Sequence, residues 1–333
     1  MTYRVHEADL QLVDALQVDP RATWAELGAA LGVSPVTAAR RWRRLEECGL
    51  AWVGAAIAPE HSMGAVIEVR CAPGEADRVA RALSRRPGVI TVATTTGDFQ
   101  VFAILLAAEL RALLSSLAGE YALIDGAEQI RHSVFRLLYG GVHWRQGILS
   151  SEESRVVAKR PPPPRPRVRP LDAGDRALFR CLNVRGRATA PEIAAETGLP
   201  EHRVRRRLDE LLASRRLIFR CDVARPLFDL PLGVYLQLAV ADTEVGRTAA
   251  ELGSWRETRL CANTVGAANI VLIIGLHQLS ELEDVLARIA RGFPSAEVRD
   301  RRVILRNHKI YGRILDDLGR CTEAIPVDPW GEG

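Results

Sequence analysis

The stretch from Ser34 to Glu46, SPVTAARRWRRLE, carries the residues whose types and spacing suggest chemistry most directly. Ser34 suits a helix N-cap, and Pro35 suits the first helical position, where a missing N–H costs nothing. On a helix starting there, Ala38, Trp42 and Leu45 fall on one apolar stripe. Arg40, Arg41, Arg43 and Arg44 crowd the remaining surface, with Pro35, Val36 and Thr37 at the leading end. The DNA major groove admits such a helix: first-turn residues meet base edges while arginines further on hold phosphates. Ser34, Pro35, Val36, Thr37, Arg40, Arg41 and Arg44 are therefore the candidate DNA contacts. The competing account is a solvated basic helix lying over an ordinary core.

Composition sets the frame for that helix. With 333 residues, 47% apolar and 26% charged, the chain is globular and long enough for two or more domains. Of its 45 basic residues only Lys159 and Lys309 are lysine, so the informative feature is arginine clustering, at 40–44, 165–169, 203–207 and 215–216. The six cysteines are scattered singly without a C-x-x-C, which points away from a zinc site or a disulfide framework. The first residues, MTYRVHEADL, contain no apolar leader, and no apolar run reaches the length of a membrane span. These features lead us to expect a cytoplasmic protein with reduced thiols and no membrane partner.

The chain repeats itself. Arg21-Ala22-Thr23 recurs as Arg187-Ala188-Thr189, 166 residues on, and in that register Asp9, Leu12, Leu16, Glu26 and Gly32 meet Asp175, Leu178, Leu182, Glu192 and Gly198. Later, Thr95 and Gly97 match Thr264 and Gly266 at a spacing of 169. Between the copies runs Lys159 to Pro170, KRPPPPRPRVRP, whose prolines favour a semi-rigid polyproline II spacer. The expected domains are a helix-turn-helix over 1–60, an effector domain over 61–150, a linker over 151–170, a second helix-turn-helix over 171–228, a second effector domain over 229–320 and a C-terminal tail over 321–333.

Each copy has the same element pattern. An amphipathic helix over Asp9 to Gln17 precedes a second that Thr23 and Glu26 open as a capping box and Gly32 closes. Ser34 then opens the third, and Gly49 to Val53 lead into a strand, as the wing of a winged helix would. Downstream, strand and helix alternate as βαββαβ from Ala65 to Leu138, and again from Gly233 to Asn307. The fold class is thus α+β: two tandem units, each a winged helix-turn-helix followed by a ferredoxin-like βαββαβ domain. An exposed sheet face of this kind buries itself against another copy, which a tandem chain supplies covalently.

This order resembles the leucine-responsive regulator/AsnC (Lrp/AsnC, feast/famine) family. The family's reading helix, S-P-x-x-x-x-x-R-x-R-R-L-E after a glycine, stands here as Ser34, Pro35, Arg41, Arg43, Arg44, Leu45 and Glu46 after Gly32. Its opening D-x-x-L-x-x-x-L is Asp9, Leu12 and Leu16. The resemblance implies a ferredoxin-like effector (RAM-type) domain with a small-molecule site, for an amino acid or related metabolite, at the turn Thr96-Gly97-Asp98-Phe99-Gln100. In the second copy, Val265, Gly266 and Asn269 hold the corresponding places. Where the family carries an acid at the end of that turn this chain has Gln100 and Asn269, amides that exchange only neutral hydrogen bonds. The resemblance also implies double-stranded DNA as partner and assembly into homodimers or homotetramers through the ferredoxin-like domains. The second reading helix is rewritten: Pro200-Glu201 replaces Ser34-Pro35, and His202, Arg203, Arg206 and Arg207 are its candidate contacts. Both helices are expected to bind, reading different half-sites, with one degenerate head as the alternative.

The tandem arrangement also resembles the siroheme decarboxylases, whose expected signature is a strand segment of the H-C-Y-E-R type. The corresponding strands here read Gly88 to Thr95 and Arg259 to Asn263, without a histidine. No nucleophile elbow, P-loop or H-E-x-x-H is present, and His143 and His308, after the last strand of each copy, are expected to pack rather than ligate. The sequence leads us to expect a sequence-specific transcriptional regulator that is not an enzyme and needs no cofactor; the alternatives are a siroheme-decarboxylase-like enzyme on the same fold or a ligand-sensing module that does not bind DNA.

Overall fold

A computed structural model describes residues 4–141, 144–158, 171–228 and 231–331. The first copy contains α1 (Glu7–Val18), α2 (Trp24–Leu31), α3 (Pro35–Glu47), β1 (Ala51–Ile57), β2 (Met63–Cys71), α4 (Ala76–Ser84), β3 (Val89–Thr95), β4 (Val101–Ala107), α5 (Leu110–Ala118), β5 (Ala127–Gly140) and α6 (Ser151–Val157). The second contains α7 (Ala173–Val184), α8 (Ala190–Thr197), α9 (Glu201–Ala213), β6 (Leu217–Val223), β7 (Leu232–Ala239), α10 (Val245–Ser254), β8 (Thr258–Val265), β9 (Ile270–Leu276), α11 (Glu281–Gly292), β10 (Glu297–Ile310), β11 (Arg313–Leu315) and β12 (Cys321–Ala324). The repeat is thus an α+β unit used twice.

The local signals act as the sequence implies. Thr23 and Glu26 exchange side-chain and backbone hydrogen bonds at the start of α2, and Gly32 closes it in the left-handed conformation. Ser34 accepts from the Thr37 N–H with Pro35 behind it. The strand after each reading helix departs from expectation. Instead of a wing within its own head, β1 pairs antiparallel with β6 of the other copy, Ala51 opposite Val223 and Ile57 opposite Leu217. Every residue of β1 is buried at this junction.

The two ferredoxin-like sheets close on each other. The strand order β3-β4-β2-β5-β8-β9-β7-β10 returns to β3, because β5 and β10, at 14 residues each, are long enough to pair with both copies. No ring strand is left with an open edge. Alternation then sorts the side chains: Ile67, Val69, Val92 and Leu105 face α4 and α5, while Leu236, Leu272 and Ile274 face α10 and α11. Val66, Phe102, Ile104, Tyr235, Val271 and Ile273 fill the ring.

Two assignments of chain ends change. Composition places residues 151–170 in the linker, but Ser150 and Glu153 form a capping box that starts α6, and Val157 joins the core of the first head. The prolines of the linker lie outside the described residues, as does His143. The segment over 321–333 is structured as far as 331: β12 pairs with β11, and Trp330 lies edge-on against Phe179 of the second head.

Candidate nucleic-acid interface and ligand cavity

The two heads meet through the residues that revealed the repeat. Arg21 donates to the carbonyls of Gly186 (2.6 Å) and Ala188 (3.1 Å), and Arg187 donates to those of Pro20 and Ala22 (both 2.7 Å). Burial and the neighbouring Arg21 push the Arg187 guanidinium down to about 10. Arg-Ala-Thr recurs because it builds a reciprocal clasp.

On α3, Ala38, Trp42 and Leu45 are buried, and the opposite stripe faces solvent. Val36 is 77% exposed, a poor place for an isopropyl group unless something covers it. Arg40 and Arg43 share its stripe, four and seven residues on, and carry no ion pair among the described residues. Arg43, absent from the candidate list, belongs with Arg40 on this surface; the signal was its seven-residue spacing from Val36. Arg41 stands elsewhere: its guanidinium lies 3.8 Å from buried Asp9 and donates to the Ala8 carbonyl, bracing α1 against α3. Arg44 is exposed further along.

The second head holds its arginines differently. Arg205 pairs with Glu201 (2.5 Å), Arg206 lies 3.7 Å from Glu210, and Arg207 binds Asp172 (2.9 Å) and Glu210 (3.2 Å) beside buried Asp175. Arg207 and Asp175 are the repeat equivalents of Arg41 and Asp9, so the brace is kept in both heads. His202 and Arg203 remain exposed at the leading end.

The turns assigned to an effector are occupied by the chain itself. Gln100 accepts from the Cys71 N–H (2.9 Å) and donates to the Gly97 carbonyl, and Asn269 accepts from the Val240 N–H (2.9 Å) and donates to its carbonyl (2.7 Å). Both amides tie a turn to the strand beside it. Thr96 accepts from the Val303 N–H, and Gly97 adopts φ +88° against Arg302. Asp98 and Gln100 do border a shallow 550 Å³ concavity with Arg70 and Glu128, whereas Val265 and Gly266 line none of the principal cavities.

A large cavity lies between the copies. It measures about 1300 Å³ and is walled, among the described residues, by aromatic and aliphatic side chains with five arginines, Arg136, Arg145, Arg155, Arg215 and Arg256, against one carboxylate, Glu60. Composition gave no hint of it, because its walls come from segments more than a hundred residues apart. His308 is not there: it is buried beside Thr94 and Asp77, and burial with Arg306 nearby pushes its imidazole down to about 4. Among the described residues no group of acids, histidines and cysteines is arranged to hold a metal, and no helix is long and apolar enough to cross a membrane.

Two helix-turn-helix heads on a closed pair of ferredoxin-like sheets define a class, and comparison with known proteins gives the family. The AsnC-type helix-turn-helix domain is matched over residues 7–46 and 171–212, and the Lrp/AsnC ligand binding domain over 64–135. The chain is 32% identical over 105 residues to the HTH-type transcriptional regulator FL11 of Pyrococcus horikoshii, covering 30% of this chain and 70% of that protein. It belongs to the Lrp/AsnC family, in a tandem form.

Two solved structures match nearly the whole tandem. Siroheme decarboxylase NirDL superposes with a TM-score of 0.57 at 11% identity, and its complex with an iron-uroporphyrin III analogue with 0.58 at 12%. Each match covers 90% of this chain and 92% of the other. At that identity the likeness is one of fold. It nevertheless overturns the expectation that the chain is not an enzyme: that expectation rested on missing motifs, and the tandem fold they were sought in is one that an enzyme uses.

Proposed function

We propose that the protein is a transcriptional regulator that binds double-stranded DNA through α3 and α9. The observation that carries this is the outward stripe of Val36, Arg40 and Arg43 on a helix whose first turn is fixed by the Ser34 cap. Exposed arginines along one line suit successive phosphates, and an exposed small apolar residue at the leading turn suits a thymine methyl group. The clasp holds the two heads in one relation, so the operator has two half-sites at fixed spacing, about one helical turn for paired heads of this kind. The heads are unequal. Arg205, Arg206 and Arg207 are engaged by carboxylates of their own head, so α3 contributes more binding than α9 and the operator is asymmetric. Footprinting the full chain on genomic DNA tests this: unequal protection of two neighbouring half-sites is expected, and no protected site overturns it.

A second reading is favoured by the match of both copies together to siroheme decarboxylase and by a cavity of about 1300 Å³ lined with arginines. In it the cavity takes a tetrapyrrole carrying carboxylates, a ligand of the class named in the matched complex with an iron-uroporphyrin III analogue. Among the described residues the lining offers Tyr139, Tyr311 and Glu60 as groups able to carry a proton. Incubation with siroheme tests it through a Soret band and release of carbon dioxide.

A further inference from the structure

The repeat predicts two equivalent large cavities, and among the described residues one of the two is open. On the closed side, the hairpin of β11 and β12 lies over Gly49, Arg85 and Lys309. The Cys321 N–H donates to the Gly49 carbonyl (2.8 Å), Glu323 pairs with Arg85 (2.6 Å), and Lys309 pairs in register with Ile314. A Cβ on Gly49 would stand 2.3 Å from the Cys321 carbonyl oxygen. The repeat equivalents of these three residues are Arg215, Ser254 and Gly140, and all three line the open cavity. The chain has therefore plugged one site with its own C-terminal hairpin, while the described residues leave the other open.

The open site is built for an anion with a broad apolar body. Arg215 replaces Gly49 at a backbone position with φ 53°, a left-handed conformation that costs a non-glycine residue and persists where the side chain has a task. Trp144, Trp255, Phe135 and Tyr139 supply aromatic surface. Among the described residues the Trp144 indole N–H at the site is buried without an acceptor, as is Nη2 of Arg259, which lines a neighbouring small cavity and whose guanidinium stacks 3.8 Å from the Trp144 ring. Buried donors of this kind want an acceptor, and native structures supply one for most of them. At about 1300 Å³ the space exceeds what a free amino acid fills.

The walls also connect the heads. Gly147 and Leu149 belong to the strap whose N–H groups donate to Asp14 of α1, and Arg155 lies on α6. Opposite them stand Leu212, Arg215 and Leu217, where α9 ends and β6 begins. We propose that this cavity binds one flat aromatic di- or polyanion per chain, and that the bound ligand, bridging the first head's strap to the end of the second reading helix, changes the affinity for DNA. The regulatory half of the proposal rests on the DNA-binding reading above.

The test uses the full chain and bis-ANS, a large aromatic disulfonate, with neutral N-phenyl-1-naphthylamine as control. Expected are one bis-ANS per chain with quenching of tryptophan emission, and at least tenfold weaker binding of the neutral dye. Arg215→Gly, which restores the residue of the first copy, should weaken bis-ANS at least tenfold with an unchanged or higher Tm. Two or more equivalent dyes, or equal binding by Arg215→Gly, overturns the site. Saturating bis-ANS should shift DNA affinity at least fivefold in the parent and leave Arg215→Gly unmoved; no shift in the parent overturns the coupling. DNA binding without dye is read separately, and its absence would sink the regulator reading while leaving the site standing.

Discussion

Gln237 donates a 2.8 Å hydrogen bond to Glu68, and the two residues occupy equivalent positions of the repeat, 169 apart. Two identical units would place glutamate opposite glutamate, or amide opposite amide. Fusion of the copies has let the positions diverge, and Arg302 of β10 completes the arrangement by pairing with Glu68 inside the ring. Glu68 is fully buried, so its charge depends on these partners.

Removing the cation should therefore be costly. Arg302→Met leaves a buried carboxylate uncompensated, and a loss of about 3–5 kcal/mol is expected by urea unfolding. Gln237→Glu, which sets a second carboxylate against the first, should destabilise as well. The double variant Glu68→Gln/Arg302→Met should recover much of the loss, since no buried charge remains. Equal destabilisation by single and double variants would show that the charges are not coupled.

Arg21 and Arg187 grip each other's heads while their charges repel. Each donates two hydrogen bonds to carbonyl oxygens, so each alanine substitution should cost about 1.5–3 kcal/mol. The second substitution should cost less than the first, because removing one guanidinium relieves the other. A double-mutant cycle measures this, and strict additivity would contradict it.

Lys309 gives a pH signature. Burial pushes its ammonium down to about 7, while an unfolded lysine titrates near ~10.4. Between those values the unfolded chain binds more protons, so this residue's penalty is full below pH 7 and relieved as pH rises towards 10. Lys309→Met should be most stabilised relative to the parent at pH 7, with the gap narrowing by pH 9.5. A gap independent of pH, measured by urea unfolding, would contradict the assignment.

Local chemistry was legible in the sequence. Ser34, Thr23 with Glu26, and Gly32 each act within a few residues, and the ferredoxin-like strands follow their own alternation. What was hidden is what depends on partners far along the chain. The pairing of β1 with β6, the closure of β5 and β10 into a ring, and the cavity arginines Arg136, Arg215 and Arg256 follow from the packing of the two copies. Gln100 and Asn269 were legible as turn residues, but their hydrogen bonds to Cys71 and Val240 depend on strands distant in sequence. The helix α6 escaped notice because it directly precedes a proline-rich run that dominates composition.

The central claim is that α3 reads DNA through its exposed stripe, and salt dependence of binding tests it most directly. If the two heads together neutralise about seven phosphates, log K against log salt should fall with a slope near −6, about −0.9 for each phosphate. Arg40→Ala/Arg43→Ala should reduce the slope by about 2 with Tm nearly unchanged, since neither side chain is buried or ion-paired among the described residues. A slope near zero for the parent, or a variant that binds as the parent does, would contradict the account.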